Sequence, residues 1–200
     1  MRPTAILAGS AAAFLAFAAH AQAPALKPAL AGLSFLVGDW TSGQGKVADT
    51  GGTSSGRPQV EPMAGGVVHL ISSGRSRFEP AAGGAVLLRR DHTDLFYTSG
   101  APAGGIDQIM MIYPEAGTLH ADYSDGAHVI HYVTATVEPG KSVIFTSEAK
   151  TGAPTFRLAY ALESTGTLTV LFTMAPPGST EFRPIATGTL EKAALPTTAP

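Results

Sequence analysis

The chain has 200 residues, a formal net charge of −2, 23 glycines, 15 prolines and no cysteine. This length suits one domain with a substantial core, and the charge balance provides no basic stripe of the kind that grips nucleic acid. Without cysteine there are no disulfides and no thiol chemistry, so the core alone must hold the fold.

At the start, Arg2 precedes an uncharged run from Ala5 to Ala19, and small residues stand at Ala19 and Ala21. A positive residue, a short apolar stretch and an A-x-A exit predict a signal peptide over residues 1–21. The run is shorter than the roughly 20 residues needed to cross a bilayer. The expectation is therefore a periplasmic or secreted protein, with no membrane attachment after cleavage. The domain proper is expected over 22–192, and the small, proline-containing stretch 193–200 reads as a disordered tail.

Pro28 to Leu36 predicts a helical turn or two. Beyond it, glycine and proline punctuate short runs of β-branched and aromatic residues, the pattern of many strands joined by turns. Strands are expected at 39–47, 53–62, 66–76, 85–97, 106–113, 118–124, 128–137, 142–148, 155–163, 167–174 and 182–191. Such a meander is too long to remain open comfortably, and closing it removes its edges. The predicted fold is all-β, a closed antiparallel up-and-down barrel of about ten strands.

Three hairpins follow from the residues. A loop at Ser164-Thr165-Gly166 pairs Glu163 with Thr167 and places Phe156, Leu158, Tyr160 and Leu162 opposite Met174, Phe172, Val170 and Leu168. A two-residue turn at Asp125-Gly126 joins 118–124 to 128–133 and sets His120 opposite His131. A third hairpin turns at Pro139-Gly140. The last two disagree about which face is inward. Ile130 and Tyr132 put the histidines outside, whereas Val133, Ala135 and Val137 share the His131 face and would put them inside.

The segment Leu33-Ser34-Phe35-Leu36-Val37-Gly38-Asp39-Trp40 resembles the start of a lipocalin-like (calycin-type) barrel, where a short helical turn leads into a Gly-x-Trp. The resemblance implies that Gly38 opens the first strand, that Trp40 closes one barrel end, and that a basic residue late in the last strand, here Lys192, packs against it. Gly65-Gly66, Arg89-Arg90-Asp91-His92 and Gly104-Gly105-Ile106-Asp107-Gln108 are similar to uncharacterised secreted bacterial proteins of this barrel type. Nitrobindin-type barrels hold haem through a histidine near the C-terminus. No histidine follows His131 here, which disfavours haem in that manner.

Three constellations carry candidate chemistry. His120, Asp122 and His131 would offer two imidazoles and a carboxylate to a metal. Alternation places Arg90, His92 and Asp94 on one face, where Arg90 would hold an anionic head group if that face lines a cavity; the bland alternative is a solvent-facing ladder of charges. Phe96, Met110, Met111, Tyr113, Tyr132, Phe145, Phe156, Tyr160, Phe172 and Met174 would either fill the barrel or line an apolar pocket. No nucleophile elbow, zinc-protease helix or phosphate loop is present. The expected function is binding of a small, mostly apolar molecule, with Trp40, Arg90, His92, Tyr132, Tyr160, Phe172 and Met174 as candidate contacts. The rivals are a metal-assisted enzyme and a filled barrel acting through protein contacts. The sequence names no cofactor and no oligomeric state.

Overall fold

The computed structural model describes residues 24–47, 70–97 and 99–193. The expected signal peptide, the predicted strand 53–62 and residues 194–200 of the expected tail lie outside the described residues. Ten strands are present among the described residues: β1 (Gly38–Val47), β2 (Leu70–Ala81), β3 (Val86–Tyr97), β4 (Pro102–Glu115), β5 (Thr118–Ser124), β6 (Val129–Glu138), β7 (Ser142–Ser147), β8 (Thr155–Leu162), β9 (Leu168–Ala175) and β10 (Arg183–Lys192). Each pairs with its sequence neighbour, and β10 returns to β1, so the sheet closes into an antiparallel barrel. A 3-10 helical segment, Pro28–Leu36, precedes β1.

The β8–β9 hairpin has the expected register: Leu162 pairs with Leu168, Tyr160 with Val170, Leu158 with Phe172 and Phe156 with Met174. Gly166 takes a φ of 84°, and its N–H donates to the Glu163 carbonyl at 2.9 Å. A side chain there would be strained, so the loop chemistry and the apolar row select the same pairing.

The β5–β6 hairpin turns elsewhere than expected. Gly126, with a φ of 82°, and Ala127 form the turn, while the Asp125 carboxylate accepts the N–H groups of Ala127 at 3.0 Å and His128 at 2.7 Å. An aspartate that ties up the amides two and three residues on fixes the turn one residue later. The register moves by two, and Asp122 rather than His120 stands opposite His131.

Strand β6 reconciles the conflicting inward faces. Its pairing to β7 shifts between Tyr132 and Thr134, leaving Val133 as an extra residue. A bulge reverses side-chain parity along the strand. Tyr132 is therefore buried before the bulge and Ala135 and Val137 pack on the core after it, while His131 stays outside.

One barrel end is sealed. Leu30, Leu33 and Leu36 of the 3-10 segment are fully buried with Trp40, which is 1% exposed. The indole N–H donates to the Leu36 carbonyl at 2.7 Å, so the plug and the first strand lock together. Trp40 pairs with Lys192, whose Nζ lies 5.3 Å from the ring centroid. Two turns clasp the plug. Lys27 N–H donates to the Gly84 carbonyl and Gly140 N–H to the Gly32 carbonyl, each at 2.9 Å. Gly84 packs so closely on the Ala25 carbonyl that a Cβ there would collide with it.

Candidate functional site

Strands β2, β3 and β4 bring four polar side chains side by side on the inner face: Ser76, Arg89, Asp91 and Gln108. Their register is direct, with Ser76 opposite Asp91 and Asp91 opposite Gln108. Arg89 is 8% exposed, an unusual depth for a guanidinium. One of its terminal nitrogens donates to the Asp91 carboxylate and to Gln108 Oε1 at 3.1 Å. The other donates to the Tyr160 hydroxyl, on β8 across the lumen, and lies 3.9 Å from Met110 Sδ. The Ser76 hydroxyl donates to the other Asp91 oxygen. Arg89 Nε is buried and has no hydrogen-bond partner among the described residues.

Around this cluster the interior is apolar and aromatic. Phe78 meets Tyr160 edge-on at 5.5 Å between ring centres, and Tyr132 leans on Phe145 at 6.1 Å. Burial pushes the Tyr132 and Tyr160 hydroxyls well above the usual phenol value, with the Arg89 charge acting the other way. Both phenols are neutral donors and acceptors at any ordinary pH.

Arg89 and Tyr160 lie between the sealed end and the opposite rim, where β7 gives way to β8 and β9 to β10. On that side Phe156 and Phe172 point inward and stack 5.6 Å apart, and both remain half-buried. Tyr123 and Ile130 share that inner face and are likewise partly exposed. Ser147 is buried there, its hydroxyl accepting the Phe156 N–H at 2.9 Å.

The candidate contacts expected from sequence divide by face. Tyr132 and Tyr160 stand in the lumen, and Phe172 and Met174 have inward parity on β9. Trp40 belongs to the plug. Arg90 and His92 are on the outside. Arg90 ion-pairs with Glu79, and the His92 ring nitrogens face the carboxylates of Asp107 at 2.7 Å and Asp94 at 3.2 Å. The charged run is thus split by the strand's alternation. Arg90, His92 and Asp94 form the solvent-facing ladder, and their neighbours Arg89 and Asp91 face the interior.

The residues expected to hold a metal are also on the outer surface and do not converge. His131, with a side chain 56% exposed, contacts the Asp122 carboxylate through Nδ1 at 2.7 Å. The Tyr113 hydroxyl donates to the other Asp122 oxygen at 3.1 Å. His120 instead stacks on the Tyr113 ring at 5.9 Å and lies 3.8 Å from Glu115. Among the described residues no group of three or more metal-ligating side chains is placed to hold an ion. Met111 and Tyr113 of the aromatic and methionine set also face outward. Ile109, Met111, Val129 and Ile144 are exposed large apolar side chains. Polar Ser124 lies between Ile109 and Val129 and interrupts them as a patch.

No helix among the described residues is long and apolar enough to cross a membrane. Compared with known proteins, the sequence matches no family model and no curated protein.

Proposed function

We propose that this protein is a lipocalin-like carrier that binds one small, mostly apolar molecule inside the barrel, entering from the end opposite Trp40. The observation that carries the reading is the inward-pointing, half-buried Phe156–Phe172 stack above a buried polar cluster. Aromatic rings that face a lumen yet keep contact with solvent mark a mouth, and apolar walls with a few convergent polar groups are the usual make-up of a ligand pocket. The Gly38-Asp39-Trp40 motif, the helical plug and the Trp40–Lys192 contact support the lipocalin-like assignment. The leader expected at 1–21 supports export to the periplasm or beyond.

Native mass spectrometry of the protein purified from the cells that make it tests the reading. The expected result is a mass excess of one small molecule per chain, released by organic solvent. A retained metal in place of an organic molecule would instead favour the rival enzyme.

A further inference from the structure

We infer that the carried molecule is an electrically neutral amphiphile whose oxygen-bearing head group docks at Arg89. The inference rests on the carrier reading and adds the charge of the head. Arg89 is the cation beneath the mouth, and a buried arginine would ordinarily suggest a carboxylate or phosphate ligand. Here its charge is already met. Asp91 contacts the guanidinium directly, Ser76 and Gln108 each add a hydrogen bond to the pair, and the cluster has no net charge.

An anionic head would place a second negative charge beside Asp91 on a single guanidinium, in a site where Arg89 and Asp91 are about nine-tenths buried. Like charges at such range repel, and the second anion would lose its hydration without gaining a cation of its own. A carbonyl, ester or hydroxyl oxygen incurs neither cost. The Arg89 Nε–H is the donor left for it once an entering head group parts the side chains that seal it, since it has no partner among the described residues while both terminal nitrogens are engaged. An unmade hydrogen bond at a buried charged group is costly, and a neutral acceptor removes that cost without disturbing the ion pair.

The test is competition against Nile red, a neutral apolar dye, with oleyl alcohol and oleate at pH 8 below their aggregation concentrations. The chain lengths match, so the head group is the only difference. Oleyl alcohol should displace the dye from the wild-type barrel at a concentration at least about tenfold lower than oleate, which corresponds to roughly 1.4 kcal/mol. Asp91→Asn leaves the Arg89 charge uncompensated and should move the ratio about tenfold or more toward oleate. Oleate competing equally or better in the wild type would overturn the head-group inference while leaving the carrier reading intact. Failure of Nile red and of both lipids to bind would overturn the carrier reading itself. The wild-type comparison decides the matter even if Asp91→Asn does not fold.

Discussion

Arg89 draws hydrogen-bond partners from β3, β4 and β8, so one side chain ties opposite walls of the barrel together. Removing its counter-charge should be severe. Asp91→Ala is expected to lower unfolding free energy by about 3–5 kcal/mol, the usual cost of leaving one buried charge unpaired. Replacing both members, as in Arg89→Met with Asp91→Leu, should recover most of that loss in urea titrations. Similar losses in the single and double variants would contradict the account. On the outer face, His92 sits between two aspartates, and the hydrogen bond to Asp107, then that to Asp94, raises its pKa above the ordinary 6.5. A folded value above the unfolded one means that the contribution is fully present below the unfolded pKa and is lost as pH rises through the folded value. The stability advantage of the wild type over His92→Gln should therefore be largest near pH 5 and fade above neutrality. The His92 ring signals in NMR should titrate with a midpoint above 6.5.

At the scale of elements, hairpins were legible where turn chemistry and apolar parity agreed. The β8–β9 pairing could be read residue by residue, because Gly166 fixes a short loop and eight apolar side chains share one face. The β5–β6 turn was misplaced, because Asp125-Gly126 is a favoured turn pair and nothing local shows that the Asp125 side chain instead caps the amides of Ala127 and His128. The bulge at Val133 had no local signature. It surfaced only as a contradiction between neighbouring hairpins, and that contradiction was its signal. The charged run in β3 was ambiguous for a different reason. Leu87 and Leu95 flank the Arg89–Asp91 face, but Leu88 and Phe96 flank the Arg90–His92 face, so apolar neighbours did not choose between them. Deleting Val133 tests the importance of the bulge. It would force either His131 inward or Ala135 and Val137 outward. A loss of about 3 kcal/mol is expected from such core disruption, and at about 2–4 °C per kcal/mol for a domain of this size the melting temperature should fall by roughly 6–12 °C. An unchanged melting temperature would show that β6 tolerates either parity.

For the molecule as a whole, closure of the sheet leaves two unlike ends. One is filled by Leu30, Leu33, Leu36 and Trp40, and the other is lined by inner-face aromatics still in contact with water. The sequence carried the strands and the helical turn in patterns a few residues long, whereas the Trp40–Lys192 contact was implied only by the resemblance at Gly38-Asp39-Trp40. It did not reveal the Arg89–Asp91–Tyr160 cluster, which exists only when β3 and β8 face each other across the lumen. The central claim is that the interior is entered from the unplugged end. Its most direct measurement is Nile red titration of the wild type, of Phe172→Glu at the mouth and of Ile109→Glu on the outer wall. Saturable one-to-one binding that Phe172→Glu weakens at least about tenfold and Ile109→Glu leaves unchanged is the predicted result. Absent binding, or binding weakened by Ile109→Glu and indifferent to Phe172→Glu, would contradict the claim.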